Sequence, residues 1–367
     1  MSFKLTAHPP WRQLLLIAVA LPLAMVAAVL AFAWPAARIA PRDLPLGVVG
    51  ATASTQTAVT ALQRTEPGAF DLTLYVDEPA ARRAIENRHV YGALVVSSKG
   101  IRVLTASAAS PTVAQLLTQV GQRLAAKRAP NGRPLPVTSS DVVATAAADP
   151  HGQVLSSALL PLTICGVILA SVIALVLKFT PAWRQLVALV VVAATAGLGA
   201  YLIAQTFLGV LPHQHVATWA SLALTILAIS ASTAGLIALI GPAGLGVSAI
   251  LMVFIGNPFS GSTSATELLP KGVGDIGQWL PPGAGVSLLR GTAYFDGNGT
   301  AAHIAVLALW AGFGMLAVVL GHRSFTGFAA KRSRVAARQS PTQIADTAPS
   351  FNHHAAPDHA VGVHQGG

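Results

Sequence analysis

The long apolar runs of this 367-residue chain contain no Asp or Glu, and between Arg133 and Lys271 the only Lys or Arg residues are Lys178 and Arg184. An ion- or proton-driven transporter usually needs an ionisable group inside the bilayer, so the missing carboxylates disfavour that class. Charged residues make up only 10% of the chain, against about a quarter in soluble domains. Cys165 is the single cysteine, which excludes an internal disulfide or a thiolate metal site; inside an apolar run it reads as a small core residue. No Gly-x-x-x-x-Gly-Lys-Ser/Thr stretch occurs, so the chain is not its own P-loop motor. Nor is there a Gly-x-Ser-x-Gly signature, and Asp43, Glu66, Asp71, Asp77, Glu78 and Glu86 have no catalytic spacing. An enzyme is not expected, and no cofactor or metal is implied. The net charge of +10 comes without a basic stripe interleaved with aromatics, so nucleic acid is not an expected partner.

What the chain does have is hydrophobicity: 53% of residues are apolar and the mean hydropathy is +0.62. A helical span needs about twenty apolar residues. Spans are expected at 14–34, 156–177, 185–207, 216–240 and 301–320, with a shorter one at 243–256 after the break Gly241-Pro242. The last is read either as a sixth span or as a re-entrant segment buried in protein. The first also resembles a secretory leader, although its apolar run is longer than a leader core. Lys and Arg mark cytoplasmic loops. Lys4 and Arg12, the connector holding Lys178 and Arg184, and Arg323 to Arg338 in the tail all fit six transmembrane helices with both ends cytoplasmic. The expected fold class is thus an α-helical polytopic membrane protein, with residues 1–13 as a cytoplasmic N-terminus and 156–320 as a five-helix membrane domain.

Residues 38–155 are too polar for lipid and are expected outside, between helices 1 and 2. Phe70 to Val76 alternates as a strand should, and Leu46 to Gly50, Val90 to Val96 and Ile101 to Leu104 read as further strands. Asp77 is placed to cap a helix beginning near Pro79. Val113, Leu116, Leu117, Val120 and Leu124 keep one helical face apolar after Pro111. Strands alternating with helices predict a small external α/β domain, with 141–152 as a flexible return to the membrane.

This organisation resembles the permease subunits of ABC-2 type exporters, and more closely the bacterial branch of YhgE/Pip-like membrane proteins. The resemblance rests on the strand ending Leu46-Gly-Val-Val-Gly50, on the pattern from Tyr75 to Val96, and on three Gly/Pro-punctuated stretches. These are Gly256-Asn-Pro-Phe-Ser-Gly261, Glu267-Leu-Leu-Pro270, and Leu280-Pro-Pro-Gly283 with Leu288-Leu-Arg290. It implies a permease exporting an amphipathic or lipid-like substrate across a bacterial plasma membrane, as a homodimer with a separate ATPase subunit. The alternative is a non-transporting membrane anchor whose external domain binds a cell-envelope partner. The connector from Lys178 to Arg184 departs from the family in leaving little room for a coupling helix.

Two candidate sites follow. Lys178, Pro181, Trp183 and Arg184 form a candidate ATPase-coupling loop. Gly256, Pro258, Phe259, Gly261, Pro270, Trp279, Pro281, Gly283 and Arg290 form a candidate external gate within a re-entrant-like segment, 257–300. The same stretch also reads as a loop anchored by Trp279 at the interface. Lys271, Asp275 and Arg290 either orient a head group or are simply solvated. Gln205, His213 and His215 are expected at an external membrane face, as interfacial residues or a portal. Gly197, Gly199, Gly244, Gly246, Gly312 and Gly314 are expected at close helix contacts. The tail, 321–367, is expected to be a disordered cytoplasmic segment whose basic start lies against membrane lipids. Its His353, His354, His359 and His364 lack the fixed geometry of a metal site.

Overall fold

The computed structural model describes residues 11–97, 99–127, 135–211 and 214–339, the side chains at 12, 52–54 and 323–339 excepted. It is mostly helical, with five helices long and apolar enough to cross a membrane: Gln13–Ala37, Gln153–Val176, Ala182–Phe207, His215–Ile240 and Ala301–His322. The protein is accordingly a multi-pass helical membrane protein.

Helix α1 (Trp11–Ala37) leads into a five-stranded sheet. Its strands are β1 (Leu44–Gly50), β2 (Phe70–Tyr75), β3 (Gly92–Val96), β4 (Ile101–Thr105) and β5 (Val137–Asp141), in the order β2-β1-β3-β4-β5. β1 runs parallel to β2 and β3, β4 runs parallel to β5, and β3 and β4 are antiparallel. The two-residue period sends Leu46, Val48, Leu94 and Val103 to one core and Val49, Ala93 and Leu104 to the other. Helices α2 (Thr52–Thr65) and α4 (Pro111–Lys127) cover the first face through Leu62, Val113, Leu117, Val120 and Leu124. Helix α3 (Glu78–Glu86) covers the second through Ala81, Ala84 and Ile85. The Asp77 carboxylate caps α3 as expected, accepting from the Ala80 amide at 2.8 Å.

Two elements here escape the local pattern. Helix α2 is rich in Thr and Ser, poor helix formers, and forms because Ala58 and Leu62 pack on the sheet. Strand β5 is a polar edge strand with no apolar alternation. The stretch 141–152 is not a flexible return. Asp141 ends β5 and binds Ser107 through its backbone amide at 3.0 Å and through its hydroxyl at 2.5 Å. Asp149, buried, receives the amides of Gln153 and Val154 at 2.9 and 2.8 Å. That carboxylate sits where the first turn of the next helix leaves its amides free.

Helix α5 (Gln153–Val176), α6 (Ala182–Leu202, running on as a π-turn to Phe207) and α7 (His215–Ile240) pack together in the membrane bundle. α7 is its most buried span. Helix α8 (Ala243–Ser248) continues as a π-segment, Ala249–Gly256. At ~1.5 Å per residue the pair reaches about 21 Å, short of a ~30 Å hydrocarbon core. Short helices α9 (Val273–Gln278) and α10 (Pro281–Tyr294) precede α11 (Ala301–Gln339).

Close approaches account for only half of the six glycines expected to make them. A Cβ on Gly197 would lie 2.8 Å from the Ala223 backbone, on Gly244 2.3 Å from Leu236, and on Gly314 2.2 Å from Ala231. Gly199, Gly246 and Gly312 have nothing within 4 Å. Cys165 is also not a core residue: it is exposed on α5. Its run is apolar all round, so the sequence did not reveal which face turns inward. The tail expected to be disordered from 321 is helical as far as Gln339. Its Ala, Lys and Arg residues favour helix, and the first proline comes only at Pro341. The tail histidines lie outside the described residues.

Candidate functional site at the domain junction

Segment 257–300 is closely packed upon itself. Gly277 meets the Phe259 carbonyl so closely that an added Cβ would sit 1.8 Å from it, and one on Gly283 would sit 2.2 Å from the Gly277 carbonyl. Backbone packs on backbone here, which only glycine permits. Gly261 has φ +69°, a left-handed conformation that costs a glycine little. Its carbonyl turns toward Arg290. Gly256 fits against Pro282, which its Cβ would approach to 2.8 Å.

Both flanks of α10 are attached to the α/β domain. Before it, Ala265 and Leu268 enter the first core of that domain, Leu268 being 1% exposed. Burying a leucine this fully is worth roughly 1.5–3 kcal/mol. The Arg42 guanidinium donates to the Leu268 and Leu269 carbonyls at 2.9 and 2.8 Å. Tyr91 donates its hydroxyl to Glu267 at 2.8 Å. After α10, Phe295 joins the second core and Asn298 donates to the Glu86 carbonyl at 3.3 Å. Between these attachments α10 lies among the membrane helices, with Pro281 to Val286 and Leu288 to Ala293 buried. Gly285 lets it approach α7, where a Cβ would be 2.4 Å from Thr225. Ser221 on α7 donates to the Thr292 hydroxyl at 3.2 Å.

Arg290 is therefore not solvated. It is 8% exposed and donates to the Gly261 and Ser262 carbonyls at 3.3 and 2.6 Å. Burial, and then the neighbouring Arg88, push its pKa down to about 10, so it stays charged at neutral pH. Arg88 donates to the Ser287 carbonyl at 3.0 Å and stands 5.5 Å over the Phe295 ring. Desolvation lowers its pKa, opposed by the charges of Tyr91 and Glu267. Burial, then Glu267, pushes the Tyr91 hydroxyl up. The α/β domain carries the ion pairs Arg82–Glu78, Arg102–Glu78 and Arg123–Glu66. Among the described residues, neither Arg88 nor Arg290 has such a partner.

Two cavities border this junction. One, of about 80 Å³, is mostly apolar, with Val154, Leu162, Ala204, Leu222 and Leu289 in its wall and Arg290 and Tyr294 at one side. The other, of about 250 Å³, is of mixed polarity and lies among Arg88, Tyr91, Glu267, Gln278 and Ser287, with Ile85, Val90 and Phe295 also in its wall.

The other expected residues are dispersed. Trp279 is 68% exposed, and its carbonyl accepts from the Trp310 indole at 2.8 Å. Phe259, Pro258 and Pro270 are half-buried, while Lys271 and Asp275 are exposed. Pro181 stands at the N-cap of α6. Lys178, Trp183 and Arg184 are exposed; the Lys178 ammonium is 5.7 Å from the Phe179 ring, and Arg184 is 5.4 Å from the Trp183 ring. His215 shares a 2.6 Å hydrogen bond with Tyr201, Gln205 has a buried oxygen without a partner, and His213 lies outside the described residues. No cluster of three His, Cys, Asp or Glu side chains suited to a metal occurs among the described residues.

Sequence reasoning missed Arg42, Arg88 and Tyr91. Each sits among ordinary domain residues, and its partners lie far along the chain. Comparison with protein-family models, curated proteins and solved structures finds no match to this chain.

Proposed function

We propose that the protein is a transport permease subunit of ABC-2 type that moves an amphipathic or lipid-like substrate outward across a bacterial plasma membrane. In this reading it works as a homodimer with a separate ATPase. The chain crosses six times, with 243–256 as the short fifth crossing and both ends cytoplasmic. The α/β domain stands outside.

The observation that carries the reading is α10. It is a buried helix that dips among the membrane helices while both of its flanks hold the α/β domain. Backbone that does not span is tolerated at such depth only where protein covers it. A helix so placed can gate a path between protomers, and movement of the α/β domain would reach it through Glu267 and Asn298. Spans without carboxylates suit an amphipathic substrate better than a small ion. Lys178, Pro181, Trp183 and Arg184 would face the ATPase.

The alternative of a non-transporting anchor is favoured by one feature. Only residues 177–181 separate α5 from α6, too few for a coupling helix.

The test is a reversible lock. Thr112 reaches from α4 to the Thr263 carbonyl at 3.3 Å. In a Cys165→Ala background, Thr112→Cys with Thr263→Cys should stop ATP-driven export when oxidised and release it when reduced. Export unaffected by a formed cross-link removes α10 as the gate. Failure to recover any ATPase on gentle extraction moves the assignment to the anchor.

A further inference from the structure

The larger cavity at the junction presents two opposite charges that are held apart. Arg88 is fixed by the Ser287 carbonyl on Nη1 and by the Phe295 ring below it. Glu267 is fixed through Oε2 alone, which accepts from the Tyr91 and Thr266 hydroxyls, both at 2.8 Å. The two side chains come from different parts of the fold and do not form an ion pair, although Glu267 is close enough to raise the Arg88 pKa. Among the described residues, no hydrogen-bond partner meets the remaining guanidinium edge or the Glu267 Oε1 atom. Gln278, in the same wall, is already engaged, donating to the Ser260 carbonyl and accepting from Ser287. The sealed polar atoms lacking partners are on Gln205 and Asn257, so the open edges of Arg88 and Glu267 are not closed off.

Arg88 and Glu267 are both half-buried, and opposite charges that face one cavity without pairing each other suit a ligand that pairs with both. A lone anion would satisfy Arg88 but meet Glu267; a lone cation would meet the reverse. We propose that this cavity binds a small group in which a primary ammonium and a phosphate or carboxylate anion are a few bonds apart. The ammonium goes to Glu267 and the anion to Arg88. The volume, about 250 Å³, is far above the ~10–15 Å³ that a single water requires and leaves room for a group the size of phosphoethanolamine. His89 and His303 also border the cavity. The same chemistry is available from two sources: the head group of an ethanolamine phospholipid, or a free phosphoethanolamine-like metabolite. The inference does not rest on the permease reading, because binding is measured without an ATPase or transport.

The experiment uses full-length protein, delipidated in a lipid-free detergent and titrated by calorimetry with phosphoethanolamine, inorganic phosphate and ethanolamine. Phosphoethanolamine should bind at least about tenfold tighter than either fragment, since each loses one charge-assisted contact. Glu267→Gln keeps the shape that receives Tyr91 and Thr266. It should lower phosphoethanolamine affinity about tenfold and leave phosphate unchanged or improved. Arg88→Gln should abolish binding of both, and Arg88→Lys should restore part of it; the unfolding midpoint of each variant reports whether it is folded. Nanodiscs of phosphatidylethanolamine that raise the midpoint above phosphatidylglycerol nanodiscs, with loss of that gain in Glu267→Gln, identify the lipid as the source. Binding of soluble phosphoethanolamine without that lipid effect identifies the free compound. The proposal is overturned if phosphoethanolamine binds no better than phosphate, or if folded Glu267→Gln and Arg88→Gln bind it as the native protein does.

Discussion

The two connectors at the ends of the membrane bundle solve the same problem in opposite ways. Residues 177–181 turn the chain between α5 and α6 in five residues, and Phe179 among them and Trp183 just beyond are 91% and 60% exposed. Segment 257–300 takes a long path, hides its backbone behind glycines and places Arg290 out of solvent. The first connector stays outside the core, and the second is part of it. Charge on a short link is cheap because water or lipid head groups still reach it. Charge inside the long one needs carbonyls and a ring to hold it.

The contrast is easiest to break at the glycines. Gly283→Val should prevent folding or cost more than about 3 kcal/mol, because overpacking against a carbonyl cannot be relieved by a rotamer change. Gly199→Val and Gly312→Val, which face open space, should leave the unfolding midpoint in detergent nearly unchanged. Equal tolerance at all three positions would dissolve the distinction.

Leu268→Ala comes next in size. It removes a side chain of the long segment from the core of the α/β domain, so destabilisation of about 2–5 kcal/mol is expected. Hydrogen exchange should rise in β1 and β3 together with 263–269. Exchange confined to the segment would mean that the two do not fold as one unit. Tyr91→Phe is a smaller cut, about 1–3 kcal/mol, since Glu267 then loses a donor while partly buried.

The double substitution Lys178→Ala and Arg184→Ala should move stability by no more than about 0.5 kcal/mol but reduce recovery of an ATPase. Undiminished recovery would sever the short link from that role. Sidedness can be read in the Cys165→Ala background. A cysteine at exposed Gln119 should react with an impermeant thiol reagent in intact cells, and one at Phe179 only after the membrane is opened. Labelling of both in intact cells would put the two connectors on one side.

Much of the architecture was legible one segment at a time. The span expected over 185–207, the alternation in β2 and the Asp77 cap each depend on neighbours a few residues away. Even the short 243–256 element was visible, bounded by Gly241-Pro242 and Gly256. The Thr-rich α2 and the polar β5 were not, because their stability comes from the sheet they join and not from their own composition. Cys165 and the three non-packing glycines were missed because spans apolar all round carry no marker of their inner face.

The sequence by itself determined that this is a multi-pass helical membrane protein without carboxylates in its spans and with a mixed α/β insertion. Hydropathy and periodicity are sums over adjacent residues, and a membrane or a sheet face reads them directly. Only the tertiary structure decided that Arg42 meets the Leu268 carbonyl 226 positions away, that Ala265, Leu268 and Phe295 complete the cores of a domain they are far from in sequence, and that Arg290 is buried. Such contacts are chosen by three-dimensional packing, and the glycines and arginines that make them look locally like those of any polar loop.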